Sequence, residues 1–304
     1  MSKREIRIGT RKSKLALWQA KAVANKLKKM GYNPSIMPIT SEGDLNLTQP
    51  IYSIGIQGVF TRTLDKALLN NTIDLAVHSL KDVPTKIPVG IILNSVLERG
   101  SPYDLILFDD KQALIKKGGI GTGSLRRKAQ WLNKYPEDQT EVIRGNIQTR
   151  LEKLKKSNLK GVILSKAGID RLGINKINFE LLNWMIPAPS QGAIGITCLE
   201  NNALIREALG EINCDKTFYC TTLEREFLKT LEGGCSAPIG GYASIIDGVV
   251  HFKGGLFSLD GKDSVVCEHK FSFKEDPVYL GNKAALELLK NGGNSIIEII
   301  KNTT

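Results

Sequence analysis

The chain has 304 residues, enough for two or three domains rather than one, and its 41% hydrophobic and 24% charged content argues for a folded chain rather than disorder. No apolar stretch is long enough for a helical membrane span, and the basic start MSKREIRIGTRKSK lacks the apolar core of a signal peptide. A formal charge of +11 predicts an anionic partner, with nucleic acid and a small polycarboxylate both open.

In chain order, IRIGT (6–10) reads as a strand feeding a helix over 14–30, with Leu17, Ala20, Ala24 and Leu27 on one face and Gly31 as its stop. Phe60, Leu64, Ala67 and Leu68 mark a second helix, and DLAVHS (74–79) and a run near 91–96 read as strands. After a polar break at 98–103 the pattern restarts. DLILF (104–108), GIGTG (119–123), EVIRG (141–145) and GVILS (161–165) read as strands, with helices beginning near Ser124 and Asn146. Such alternation predicts parallel α/β sheets. The last third differs: a helix around 215–231, three antiparallel strands (YASII, VVHFKGGLF, SVVCEHKFSF) and a helix near 277–291 form an α+β domain.

IGTRKSKLALW and IGTGSLRRKAQW echo one another, each a strand, a Gly-Thr and a serine at a helix start. A strand feeding a helix N-terminus presents free backbone N–H groups, which suits carboxylate or phosphate.

HSLKDVP (78–84) lies where a strand ends, the usual ligand side of an open α/β sheet. Lys81 and Asp82 are adjacent there, as a surface ion pair or as a carboxylate aimed at a ligand. Arg11, Arg126, Arg127 and Arg144 fall at strand ends or first helical turns, with Arg150 one turn into a helix and Arg171 further on. The guanidinium fork pairs carboxylates in a bidentate way, so a ligand with several carboxylates accounts for this set. From Arg126 to Lys160 there are ten Lys/Arg against four Asp/Glu, although KLKK (153–156) reads as a solvated helix face.

The five cysteines form no CxxC pair, and the three histidines are dispersed, so no metal site is predicted. EGGCSAPIGGY (232–242) sets Cys235 on a tight exposed turn, where a thiol is either idle or a nucleophile that reaches beyond its own domain.

Taken together, IGTRKSKLALWQA (8–20), GVFTRTLDKALL (58–69), DLAVHSLKDVPT (74–85), GTGSLRRKAQ (121–130), RGNIQTRLEKL (144–154), AGIDRLG (167–173), PAPSQGAIGI (187–196) and LEGGCSAPIGGYA (231–243) resemble the porphobilinogen deaminase (hydroxymethylbilane synthase) family over essentially the whole chain. The resemblance implies an α/β fold: two periplasmic-binding-protein-like domains around a cleft (1–98 with 193–211, and 103–189) and a smaller C-terminal α+β domain (215–304). It implies a transferase that joins four porphobilinogens head to tail and releases hydroxymethylbilane. The cofactor would be a dipyrromethane made from two porphobilinogens and held on Cys235 by a thioether. Loss of ammonia leaves an azafulvene with positive charge developing on the pyrrole nitrogen, and a fixed carboxylate stabilises it. By resemblance Asp82 and Arg11 are catalytic. Lys81, Asp82, Ser13, Thr122, Ser124, Arg126, Arg127, Arg144, Gly145 and Gln191 would hold the cofactor, and Arg11, Gln19, Arg144, Arg150 and Arg171 the substrate. The family is further expected to be cytoplasmic and monomeric, with no nucleic-acid or membrane partner. Where many bacterial relatives carry basic residues, this chain has Ser53, Gln57 and Tyr103. The rival readings are a two-domain cleft protein that binds polycarboxylates without turnover and a nucleic-acid binder using 126–160. The Gly-Gly-Cys loop and the scarcity of aromatics in that stretch count against them.

Overall fold

The computed structural model describes residues 5–40, 60–109, 118–175, 177–231 and 237–303. Among them the chain gathers into two compact units, one of 5–40, 60–100 and Gly192–Phe218, the other of Ser101–Gln191 and Tyr219 onward.

The first unit opens with β1 (Glu5–Arg11), α1 (Lys14–Lys29), β2 (Asn33–Ile39), α2 (Arg62–Leu69), β3 (Leu75–Ser79) and β4 (Ile91–Val96). The second begins with β5 (Asp104–Phe108), β6 (Ile120–Gly121), α3 (Leu125–Lys134), β7 (Thr140–Glu141), α4 (Ile147–Lys156), β8 (Gly161–Ser165), α5 (Lys166–Arg171) and β9 (Asn178–Leu181). Then come β10 (Ile194–Leu199) and α6 (Ala203–Gly210) in the first unit, and α7 (Asp215–Thr230), within which the boundary falls. The second unit ends with β11 (Ile239–Ile246), β12 (Val249–Phe257), β13 (Ser264–Ser272), α8 (Pro277–Leu288) and α9 (Asn294–Thr303).

The first unit's sheet has the order β2-β1-β3-β10-β4. Strand alternation gives it two cores: Leu75 and Val77 face a cluster with Ala20, Val23 and Leu27 of α1, while Ala76 faces Leu64 and Leu68 of α2. The buried stripe of α1 is Ala16, Ala20, Val23 and Leu27, so Leu17 and Ala24, expected on that face, lie at its margin. Ala20 and Leu27 keep their expected places in the stripe, Ala16 and Val23 replace Leu17 and Ala24, and Gln19 is buried beside them with a hydrogen bond to Ser79.

The second unit's larger sheet has the order β7-β6-β8-β5-β9. Leu105 and Leu107 enter one core and Ile106 and Phe108 the other. Neither sheet is wholly parallel, contrary to expectation: β10 runs antiparallel to β3 and β4, and β5 antiparallel to β8 and β9. The parallel rule holds for consecutive strands of a strand–helix–strand unit, and these pairs are not consecutive: β10 enters its sheet only after the chain has passed through the second unit, and β5 pairs with β8 and β9, which come three and four strands later. The segment expected as a strand at 141–145 pairs only at Thr140–Glu141. Beyond it, Ile143 turns into the core and the backbone takes a positive φ of 107° at Gly145 to reach the α4 cap.

The remaining sheet, β11-β12-β13, is an antiparallel meander covered by α7, α8 and α9. Phe227 of α7 sits over it, and a Cβ at Gly254 would lie 2.5 Å from its ring, so glycine there allows close helix–sheet approach. Burying an aromatic such as Phe227 contributes roughly 1.5–3 kcal/mol. The helix expected near 277–291 stops at Leu288, and Gly292 at φ 112° turns the chain into α9, which the sequence reading did not separate.

Candidate active site

Two groups of side chains, one in each unit, carry the residues singled out from the sequence. In the first unit, Ser13 caps α1 by accepting from the Ala16 N–H at 3.3 Å, and Thr10 Oγ1 donates to the Ala16 carbonyl at 3.1 Å. These local bonds fix the turn that leaves Arg11 at the carboxyl end of β1. An N-cap of this kind is worth about 1 kcal/mol.

Beside it, β3 ends in a single 3₁₀ turn, Leu80–Asp82. Leu80 is fully buried with Val83, Val96 and Ala193, and its N–H donates to the Ala193 carbonyl at 3.0 Å. Anchoring Leu80 inward leaves Lys81 and Asp82 on the open side of the turn. The Asp82 carboxylate is 32% exposed, and an oxygen lies 4.0 Å from the Arg11 guanidinium. Arg11 in turn stacks on the Phe60 ring at 4.1 Å, a cation–π contact that fixes its direction. Gln19, 1% exposed, donates to Ser79 Oγ at 2.8 Å and ties α1 to the end of β3.

Behind this group lies a pair that sequence reasoning missed: buried His78 within 3.2 Å of Thr197 Oγ1. Burial, and secondarily the charge of Arg11, push the imidazole down to about 4, so it is neutral near pH 7.

In the second unit, Thr122 Oγ1 accepts from the Ser124 N–H at 3.2 Å, and Ser124 caps α3 by accepting from Arg127 N–H at 3.4 Å. Arg126 and Arg127, expected as ligand-facing cations, both turn to Asp104. The Asp104 side chain is fully buried; Arg127 Nε and Nη2 donate to Oδ1 at 3.0 and 2.7 Å, and Arg126 Nη1 pairs with Oδ2 at 2.8 Å. Gln191 Nε2 donates to the same carboxylate at 2.9 Å and to the Pro102 carbonyl at 2.7 Å. Burial alone would raise the Asp104 carboxyl, but the two guanidiniums hold it well below the usual range. Asp104 was not singled out from the sequence; its one visible signal is a carboxylate opening an otherwise apolar strand.

Asn146 caps α4, and Arg150 Nε donates to the Gly145 carbonyl at 2.9 Å. Arg144 is 8% exposed, and its Nη1 is buried with no hydrogen-bond partner among the described residues. Burial lowers its pKa. A guanidinium nitrogen shut from water without an acceptor is costly, and a carboxylate supplies that acceptor. Arg171 closes α5, its pKa lowered by burial against the opposing charge of Asp170. Tyr103 stands 6.2 Å from the ring of Tyr242. Cys235, Ser53 and Gln57 lie outside the described residues.

One unit thus presents a partly exposed carboxylate beside a cation, and the other presents buried or half-buried guanidiniums at strand and helix ends, groups able to pair with anions. Two family models match the chain: "Porphobilinogen deaminase, dipyromethane cofactor binding domain" over residues 6–207 and "Porphobilinogen deaminase, C-terminal domain" over 218–290. The chain is 41% identical to a porphobilinogen deaminase of Listeria welshimeri, covering 99% of both chains. It is 40% identical to that of Trichlorobacter lovleyi, over 98% of this chain and 97% of the other. It is also 40% identical to that of Carboxydothermus hydrogenoformans, over 98% of each. Among solved structures, an arginine-specific periplasmic binding protein of Salmonella typhimurium aligns at a TM-score of 0.40 and 14% identity, covering 69% of this chain and 91% of that one.

Proposed function

The chain belongs to the porphobilinogen deaminase family, and we propose that Asp82 is its catalytic carboxylate, Arg11 the cation that sets it, and Cys235 the anchor of its primer. The enzyme is a transferase of tetrapyrrole synthesis: it deaminates porphobilinogen, joins four of them head to tail on a dipyrromethane, and releases hydroxymethylbilane.

The observation that carries the assignment is the Arg11–Asp82 approach of 4.0 Å, with the carboxylate left one-third open. An open carboxylate fixed at a strand end accepts pyrrole N–H groups and stabilises the positive charge that develops on the ring nitrogen as ammonia leaves. It is also placed to take and return a proton. Arg11 is itself immobilised on Phe60, so it orients the carboxylate without covering it.

The donor set fits a ligand rich in acetate and propionate groups. Arg144 Nη1 is buried without an acceptor, and Arg150 and Arg171 add further guanidiniums. These, with Lys81, Ser13, Thr122, Ser124, Arg126, Gly145, Gln19 and Gln191, are the residues we assign to cofactor and substrate, and Arg127 belongs to the set through its pairing with Asp104. When bound, the dipyrromethane supplies the free pyrrole carbon to which each incoming ring is joined. Cys235 holds it through a thioether, while the arginines neutralise the ring carboxylates and keep each ring oriented.

We assign the chain three domains, 1–98 with 193–211, 103–189, and 215–304. The first two are read as periplasmic-binding-protein-like. The enzyme acts as a cytoplasmic monomer, a reading that rests on family likeness. No helix among the described residues is long and apolar enough to cross a membrane.

Intact-mass spectrometry of the full chain tests the assignment of Cys235. The wild type should be heavier than its sequence by two linked porphobilinogen-derived rings, and Cys235→Ser should have its bare sequence mass. A wild type that is unmodified and releases no ammonia when given porphobilinogen overturns the reading.

A further inference from the structure

Two adjacent guanidiniums of the same kind, Arg126 and Arg127, meet one carboxylate and end up differently employed. Arg127 is fully used by the protein: Nε and Nη2 bond Asp104, and Nη1 donates to the Ile163 carbonyl at 3.0 Å. Arg126 spends only Nη1, on Asp104 and on the Ile186 carbonyl at 2.8 Å each. Its Nε and Nη2, the edge that takes a carboxylate in bidentate fashion, have no hydrogen-bond partner among the described residues.

Charge points the same way. One carboxylate shared between two guanidiniums leaves a surplus of one positive charge in a site where Arg126 is 6% exposed. Burial works against the charge on Arg126, the charge of Asp104 opposes that loss, and Arg127 adds to it. Gln191 donates to the same Oδ1 that Arg127 holds, so Oδ2 is left to its ion pair with Arg126, whose own Nε–Nη2 edge stays open.

We propose that Asp104 is a positioning residue for carboxylate capture: together with the Ile163 carbonyl it occupies Arg127, and it aims the free Nε–Nη2 edge of Arg126 at a ligand carboxylate. Of the adjacent pair, Arg126 is then the ligand-facing residue, and Arg127 serves it through Asp104. The inference rests on the reading above, that this group binds the carboxylates of the dipyrromethane and of porphobilinogen.

Loading of the full-length apoprotein tests it. Apoprotein, made in cells that produce no porphobilinogen, is titrated with porphobilinogen, and the two-ring adduct on Cys235 is followed by intact mass. Asp104→Asn, Arg126→Lys, the double variant and Asp104→Asn/Arg150→Lys are compared, with thermal melting to establish folding. We expect Asp104→Asn and Arg126→Lys each to raise the half-loading concentration about tenfold, the size of one charge-assisted contact. The double variant should be no worse than Arg126→Lys alone, whereas the effects of Asp104→Asn and Arg150→Lys should multiply. If Asp104→Asn does not fold, Arg127→Lys takes its place in the same cycle, since it keeps the charge beside Asp104 and loses the fork. A folded Asp104 or Arg127 variant with the wild-type loading curve, or one whose effect multiplies with that of Arg126→Lys, overturns the proposal. A wild type that never loads overturns instead the reading on which it rests.

Discussion

The guanidinium of Arg11 and the carboxylate of Asp82 lie 4.0 Å apart at the carboxyl ends of two strands that are direct neighbours in one sheet. The strands are parallel, so both side chains leave the sheet at the same end. The pair is too long for a tight ion pair, which leaves the carboxylate oxygens open to a ligand's N–H groups. Asp82→Asn keeps the shape and removes the charge. Turnover of porphobilinogen should fall by about 10²–10³-fold, the range for losing one preorganised electrostatic contact. The dipyrromethane mass should remain. Unchanged ammonia release would remove Asp82 from the mechanism.

His78 gives the fold a definite acid sensitivity. Its pKa is depressed from 6.5 to about 4, chiefly by burial. The unfolded chain therefore binds the proton first. The stability this contributes is complete above pH 6.5 and is lost as pH falls through about 4, up to about 3 kcal/mol. Melting temperatures between pH 7 and pH 4 should fall more steeply for the wild type than for His78→Gln. Parallel curves for the two proteins would sink this account.

Gly145 is strained for any other residue. Its φ is 107°, and an added Cβ would meet the Thr149 side chain at 2.7 Å. Gly145→Ala should destabilise the protein by about 1–3 kcal/mol. It should also raise the KM for porphobilinogen, because Arg144 precedes the strained peptide and Arg150 is bonded to its carbonyl. Denaturant unfolding and steady-state kinetics check the two effects separately.

Glu224 is fully buried and accepts the Ser190 N–H at 2.6 Å and the Ala243 N–H at 2.7 Å. It joins the turn before Gly192 to the meander of the same unit. Glu224→Gln sets an NH₂ group against one of those donors, costing about 1–3 kcal/mol for the buried N–H left unpaired. A melting temperature within one degree of wild type would contradict it.

Among the described cysteines, Cys198 and Cys267 are pushed up to about 11, in both cases mainly by burial. They stay protonated at pH 8, and the thiolate is the reactive form. Brief alkylation of the loaded enzyme at pH 8 should leave both unmodified, and Cys235 protected by its thioether. Peptide mapping reads all three sites, and early labelling of Cys198 or Cys267 would show that burial does not protect them.

Much of this protein is written locally. Ser13, Ser124 and Asn146 cap helices where strand-to-helix turns were read, since a cap bond spans only three residues. The strand alternation of Leu75, Ala76 and Val77 and the helical spacing in α1 likewise need only neighbours, although Ala16 and Val23 rather than Leu17 and Ala24 complete the buried stripe. The motifs were enough to recognise the family. What sequence could not supply is who meets whom. Asp104 and Gln191 are 87 positions apart, and His78 and Thr197 are 119 apart. No periodicity encodes such encounters, because burial and pairing energies exist only once distant segments share a core. That is why Arg126 and Arg127, indistinguishable as letters, separate only in three dimensions: one is consumed by a buried carboxylate, the other keeps an open edge.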